Sequence, residues 1–401
     1  MQSGKPIILT LVRYYLPGYK HGGPTRTIAN MVERLGDEFD FRVVALDRDV
    51  GSTGPYRDIT VDGWNRRGKA AVYYARPGPA LPGRLAGLLS ATPHHLLYLS
   101  SAMDPVFTLW PLLNRNLRRL PRSPVVLAPR GEFAASALAL KRWKKGPFLT
   151  AARLFDFYRD ITWQASSAYE ARDIERVLDG VSAESGAREG SARRVIVAPD
   201  LPAAFEASSA EPDGGRGDGP LRVVFLSRIT PIKNLDFALR VLGKVTAPVD
   251  LSIYGPTSSG DYWRECEALI ASLPANVRAT YLGEVDHARV GGIMAAHDLF
   301  FLPTRGENYG HVIAEALSAG TPVLIADTTP WRNLAQARAG WDLPLTDESS
   351  YVERIEYCAR LHRSAYAEWR AEVRRFAAER LTAAPLVEAN RRLFLTAMAI
   401  A

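Results

Sequence analysis

Two glutamates separated by seven residues, Glu307 and Glu315, stand in the stretch RGENYGHVIAEALSAGTPVLIA of a 401-residue chain. An apolar run, LFFLP, ends at Pro303, and Thr304 to Gly310 form a polar, glycine-bounded loop. His311 to Ser318 fit a short helix that Gly320 can end, and Pro322 to Ala326 begin another strand. Ligands of an open parallel sheet settle at the carboxyl ends of its strands, where helix N-termini turn N–H groups outward. Such a loop offers amides to a phosphate and carboxylates to hydroxyls in one place. Two surface glutamates at an arbitrary spacing are common in charged helices. Here Gly306, Gly310, Gly320 and Pro322, with apolar strands on both sides, favour a site.

A second element has the same form. LRVVFLSRITPIKNLDFALRVL reads as a buried strand, a basic loop and an amphipathic helix. Leu235, Ala238, Leu239 and Leu242 make one apolar face at helical spacing. Arg228 leaves the strand end and Lys233 stands just before the helix. A guanidinium fork and an ammonium point charge beside a helix N-terminus suit a diphosphate. Two solvated loop charges would give the same pattern in isolation; the glutamate loop in a second unit of the same kind strengthens the binding reading.

These segments, with YYLPGYKHGGPTRTIANMVERLG near the start, resemble retaining glycosyltransferases of the GT-B fold, glycosyltransferase family 4. The resemblance covers nearly the whole chain and is most specific over Arg228 to Trp331. It implies an α/β chain of two Rossmann-like domains with parallel sheets facing a central cleft, where a nucleotide diphosphate sugar lies. It further implies that Arg228 and Lys233 clamp the diphosphate, that Glu307 holds donor-sugar hydroxyls and that Glu315 holds the ribose. By the same resemblance, Asn308, Tyr309, Gly310 and His311 cradle phosphate and sugar through their amides, and Gly22 and Gly23 let the first domain's backbone approach the donor. No metal or other cofactor is implied. The leaving diphosphate is then stabilised by protein cations and amides. The implied displacement is front-face; a covalent route through Glu307 is the mechanistic rival.

Composition sets the wider bounds. A hydrophobic content of 47% with 23% charged residues reads as a globular enzyme. The cysteines are Cys266 and Cys358, with no C-x-x-C, which argues against a disulfide scaffold or zinc and points to a reducing cytoplasm. MQSGKPIILTLV lacks signal-peptide character. Residues 1–200 hold 29 Lys and Arg against 19 Asp and Glu, and the remainder 21 against 24. The basic excess falls between Arg115 and Arg159. Lys141, Arg142, Trp143, Lys144 and Lys145 interleave charge with an aromatic, which suits anionic headgroups at the inner face of a membrane. A solvated helix face stays open as the alternative. Nucleic acid is not expected, because no helix-turn-helix, zinc-finger or RNP-type motif is visible.

Alternating strands and helices predict a parallel sheet in each half. Residues 50–70 read as a loop or hairpin. We place the first domain at 1–205, a Gly- and Pro-rich linker at 206–220, the nucleotide-sugar domain at 221–380 and a returning helix at 381–401. The first domain departs from the family pattern. Many relatives carry a histidine after the fourth strand, whereas Ser100, Ser101 and Asp104 stand here, and His94 and His95 precede the strand. Ser100, Asp104, Arg130 and Glu132 are therefore the expected donor or acceptor contacts, with structural ion pairing as the alternative for Arg130 and Glu132. Glu170 is assigned to capping a helix. The expected activity is sugar transfer to a lipid-linked or polysaccharide acceptor. A GT-B epimerase or phosphorylase and a non-catalytic nucleotide-sugar binding module stay open. Neither G-x-S-x-G, H-E-x-x-H nor G-x-G-x-x-G is present to support a hydrolase or a dehydrogenase.

Overall fold

The structure is a computed structural model that describes residues 4–139, 142–179, 194–202, 219–257 and 260–399. Lys141, the side chains of Arg142 and Lys144, and residues 206–218 of the expected linker lie outside the described residues. The chain divides into two compact units, Met1–Ala204 with Ala383–Ala401, and Phe205–Thr382.

The first unit runs β1 (Ile7–Leu11), α1 (Gly23–Leu35), β2 (Asp40–Leu46), β3 (Trp64–Arg67), β4 (Ala70–Ala75), α2 (Leu81–Ala91) and β5 (Leu96–Leu99). A π-helical turn (Pro105–Leu109), α3 (Trp110–Asn116), β6 (Val125–Leu127), α4 (Ala135–Ala139), α5 (Arg142–Leu154), β7 (Ile161–Ala165), α6 (Ala168–Asp179) and β8 (Arg194–Val197) follow. The sheet order is β3-β4-β2-β1-β5-β6-β7-β8, parallel except for β3. The apolar strand sequences pack between helices that bury one face, as α1 does with Ile28, Met31, Val32 and Leu35. The hairpin β3–β4 is the element least marked in sequence. Its edge strand, WNRR, is polar and half exposed, and it is held by backbone pairing and by Trp64 packed edge-on to Tyr73 at 5.5 Å.

The second unit runs β9 (Leu221–Leu226), α7 (Leu235–Leu242), β10 (Val249–Tyr254), α8 (Gly260–Ala271), β11 (Val277–Tyr281), α9 (His287–Ala295), β12 (Leu299–Leu302), α10 (His311–Ser318), β13 (Val323–Ala326), β14 (Gly340–Leu343), α11 (Glu348–Arg360) and α12 (Arg363–Arg380). All its strands are parallel, in the order β11-β10-β9-β12-β13-β14. Helix α7 differs from the amphipathic expectation: every residue except Arg240 is buried, because α8 and α11 pack on it as well as the sheet. The chain then returns to the first unit as α13 (Ala383–Met398), at 383 rather than 381. Phe394 of α13 sits among Phe39, Phe41 and Tyr98 at 5.5 to 6.1 Å, a burial that anchors the helix to the first sheet. Among the described residues no helix is long and apolar enough to cross a membrane.

Edge strand β14 reaches β13 only because residue 340 is glycine. Its φ is 137°, and a Cβ there would stand 1.9 Å from the Val323 carbonyl oxygen. Gly340→Ala is expected to destabilise the second unit by at least about 2 kcal/mol, from the disfavoured φ and the overlap together. Urea unfolding followed by circular dichroism reads this as a lower midpoint; an unchanged midpoint would show that β14 can move away from β13 freely.

Candidate functional site

In the second unit the strand order reverses direction between β9 and β12, the switch point at which the loops leaving two neighbouring strands diverge. The loop after β9 carries Arg228 and Lys233, and the loop after β12 carries Glu307. Tertiary pairing thus brings together residues 74 positions apart in sequence: the Lys233 ammonium is ion-paired to Glu307 Oε2. Their side chains are only 13% and 17% exposed.

Asn234 joins the two loops. It is buried in the left-handed region, with φ 64°, where Asn is among the better-tolerated side chains. Its Nδ2 donates to Pro303 O at 2.9 Å, and its Oδ1 accepts from Arg305 Nε at 2.9 Å. The backbone N–H of Arg305 donates to Ile232 O at 2.7 Å, and the buried Thr304 hydroxyl reaches the same carbonyl at 3.0 Å. Beneath them Asp236 accepts from Tyr262 OH at 2.6 Å and Arg240 at 2.9 Å, with Arg305 at 3.5 Å. Burial alone would raise the Asp236 carboxyl; the Tyr262 and Arg240 hydrogen bonds and the charges of Arg240 and Arg305 outweigh it, so it titrates below the usual value. This brace of Asn234, Asp236 and Arg305 was not anticipated from sequence. Its signal is Asn-x-Asp at the start of a helix with Arg just past a strand.

Helix α10 starts at Gly310, φ 80°, with no side-chain cap, so its N-terminus borders the glutamate loop. Arg370 donates to the carbonyls of Ala319 and His297, both at 3.1 Å, and so ties the far end of α10 to that of α9. Glu315 projects from α10 to within 3.5 Å of His287 Nδ1. The Tyr309 ring packs on His311 at 4.7 Å, while Trp331 Nε1 donates to the Tyr309 carbonyl at 2.6 Å. Arg228 is exposed and makes no side-chain hydrogen bond or ion pair among the described residues.

In the first unit the order reverses between β1 and β5. Gly22, φ 78°, precedes α1, and Gly23 begins it, again without a side-chain cap. Asp49 accepts from the N–H groups of Tyr19 and Lys20 and so shapes the preceding loop. Of the expected contacts after β5 and β6, Arg130 and Glu132 take the alternative of internal pairing. Arg130 is buried, with 5% side-chain exposure, and pairs with Asp200 and the Tyr98 hydroxyl. Asp200 also accepts from Thr27 of α1 at 3.0 Å, and Tyr98 OH donates to Gln164, which bonds Asn390 of α13 at 3.1 Å. Glu132 accepts from Ser101 Oγ and from the N–H groups of Ala102 and Met103; burial nonetheless pushes its carboxyl above the usual value. Arg130 and Glu132 are therefore internal braces, because a buried charge without partners would be strongly unfavourable. Asp104 is engaged in a two-bond pair with Arg13, at 2.6 and 2.9 Å, and caps the π-helical turn; Ser100 is buried. Arg13 was not anticipated, although a lone charge just past the apolar strand PIILTLV is a readable signal. Glu170 accepts from Ser166 and from the Gly131 N–H, a structural role as expected. His95 lies at the amino end of β5, where its Nδ1 accepts from Ile7 N.

Residues 209–374 match the family described as glycosyl transferases group 1. A D-inositol 3-phosphate glycosyltransferase of Mycobacterium bovis (strain BCG / Pasteur 1173P2) is 32% identical over 105 residues, which make up 26% of this chain and 22% of that protein. The match thus spans about a fifth of the curated relative's length. The structure of HepE from Anabaena in complex with UDP and glucose superposes with a TM-score of 0.66 at 16% identity, over 98% of this chain and 100% of that one. Sucrose-phosphate synthase from Thermosynechococcus elongatus gives 0.70 at 15% identity, over 98% and 100%. WaaG, a glycosyltransferase involved in lipopolysaccharide biosynthesis, gives 0.66 at 15%, over 96% and 99%. At these identities the likeness establishes the fold, that of GT-B glycosyltransferases.

A Cβ at residue 310 would stand 2.8 Å from Ile313 Cδ1 and 3.1 Å from Glu307 Cγ, in a backbone conformation that disfavours alanine. Gly310→Ala should therefore displace Glu307 while lowering stability by about 1–2 kcal/mol. Measured together, thermal unfolding should show a small drop and sugar-nucleotide turnover a large one; full turnover in a folded variant would mean that Glu307 need not occupy this position.

Proposed function

We propose that this chain, whose residues 209–374 match the group 1 glycosyl transferases, transfers a sugar from a nucleoside diphosphate sugar to an acceptor hydroxyl with retention at the anomeric carbon. The observation that carries this reading is the meeting of Lys233 and Glu307 across the two loops at the second unit's switch point, with Arg228 on the same loop as Lys233. Transfer breaks the bond between the anomeric carbon and the phosphate oxygen and forms one to the acceptor oxygen. Negative charge grows on the leaving diphosphate. Arg228 offers a planar fork to it, Lys233 a compact charge and α10 its N-terminal dipole, so the stabilising groups are in place before the charge appears. Glu307 holds sugar hydroxyls and Glu315 the ribose. The leaving phosphate oxygen takes the acceptor's proton, as the family resemblance implies, and no metal is needed. A uridine donor is the first to test, since HepE has been seen with UDP and glucose.

Differential scanning against UDP-, GDP- and ADP-sugars should raise the unfolding midpoint with one class, by mass action on the folded state. With that donor saturating, Arg228→Ala and Lys233→Ala should each lower turnover by about 10²-fold or more while folding is retained. Wild-type kinetics in either variant would remove that residue from the diphosphate clamp.

The acceptor we propose is lipid-linked or a growing glycan in surface-glycan synthesis, met at an anionic membrane surface. Trp143 and Leu154 of α5 and the adjacent Phe155 are 73 to 78% exposed. The end of α5 is tied to that of α3, where Asn116 donates to Phe157 O at 2.8 Å, and α3 exposes Leu113 and is followed by exposed Leu117, Arg118 and Arg119. Apolar side chains among cations suit a headgroup layer. Binding to phosphatidylserine vesicles should weaken as salt rises. Replacing Lys141, Arg142, Lys144 and Lys145 with Gln should weaken it further, by about 1 kcal/mol per charge. No vesicle binding by the parent protein at low salt would leave these cations as a solvated face.

A further inference from the structure

Lys233 and Glu307 have been assigned to different parts of the donor, yet in this structure they bind each other. Little backbone freedom is available to separate them. Lys233 N donates to Thr230 O at 2.9 Å, Asn234 is buried and bonded to Pro303, and Arg305 N is bonded to Ile232 O. Gly310 leaves just enough room for the Glu307 stem. Arg305 is engaged with Asn234 and Asp236. Separation must therefore come from the two side chains, and each needs a new partner when it occurs, because both are largely withdrawn from water.

The two forms of the nucleotide differ in what they offer. A nucleoside diphosphate without sugar supplies anionic oxygens to Lys233 but nothing to Glu307, whose carboxylate then stands near the phosphates as a like charge. A nucleoside diphosphate sugar supplies oxygens to Lys233 and hydroxyl donors to Glu307 together. Resting on the transferase reading above, we propose that the Lys233–Glu307 ion pair is a specificity device that favours the sugar-bearing donor over the spent nucleotide. The pair re-forms once the sugar has left and competes with the diphosphate for Lys233, which speeds product release. The discrimination is a difference of affinities built by penalising the wrong ligand as well as by contacting the right one.

Calorimetry with UDP, GDP and ADP, each beside its glucose conjugate, tests this. Glu307→Gln should bind the cognate free diphosphate more tightly, by about threefold to tenfold, the range expected when a partly screened pair and a like charge are removed. The same variant should bind the sugar conjugate no more tightly than wild type, so that the preference for the conjugate shrinks. In a Lys233→Ala background, Glu307→Gln should lose most of its effect on the free diphosphate, since a double-mutant cycle isolates the coupling between the two positions. Unfolding midpoints of all three variants confirm that folded protein is compared. If Glu307→Gln leaves the diphosphate affinity unchanged or weakens it, or if its effect persists without Lys233, the ion pair is not a discriminator, although the donor site stands. If the wild-type chain binds none of these nucleotides or conjugates, the transferase reading falls and this inference with it.

Discussion

Asn234 holds the site together. A buried amide in a left-handed backbone conformation bonds one loop to the strand end of another, and both switch-point loops of the second unit take their course from that junction. The constraint is one of hydrogen-bond satisfaction: a buried carbonyl such as that of Pro303 needs a donor, and Asn234 Nδ2 supplies it. Arg305 then closes the brace by reaching Asn234 and Asp236. Lys233 and Glu307, attached to the braced segments, meet with little conformational search left to them. With the backbone of both loops braced in this way, what remains to reorganise when a ligand binds is the two side chains.

The first unit uses buried polar groups differently. Arg130, Asp200, Tyr98, Gln164 and Asn390 form a connected interior network, in which the buried Arg130 Nε is left without an acceptor among the described residues. It links the ends of β6 and β8 to α13, and through Thr27 to α1, whose N-terminus carries Gly22 and Gly23. Burial raises the Tyr98 hydroxyl well above its ordinary value, so it stays neutral and can donate to Gln164 while accepting from Arg130. Removing one member would leave the others unpaired in a low-dielectric interior, which makes the network a source of a single defined geometry. Residues at a strand's carboxyl end need not face a ligand: in this unit Arg130 and Glu132 turn inward to hold the neighbouring loops.

The distribution of surface chemistry follows from the same division of labour. The exposed Trp143 and Leu154 belong to α5, with Phe155 just past its end, and Leu149 and Ala152 of the same helix are buried against the first unit's core. That helix has one face committed to packing and another that exposes Trp143 and Leu154. Isolated exposed apolar residues are ordinary; here several stand along α5, just past its end and at the adjoining end of α3.

Much was legible in the linear sequence because it rests on local rules. Strands such as LRVVFL and LFFLP, the helix from His311 to Ser318, and the positions of Arg228, Lys233, Glu307 and Glu315 relative to them follow from apolar runs and glycine boundaries within a few residues. Periodicity could not distinguish a helix buried on one side from α7, which is buried all round, because α8 and α11 arrive from distant sequence. Nor could it mark β3, a polar edge strand held by pairing with β4. Strand order is likewise non-local: only the insertion of β9 between β10 and β12 places the loop of Lys233 beside that of Glu307. The same holds for Arg130 and Glu132, whose residue types suit ligands and internal ion pairs equally. Which role a charged side chain takes depends on what surrounds it in space, and the tertiary structure alone supplied Asp200, Tyr98 and Ser101 as the partners that decided it.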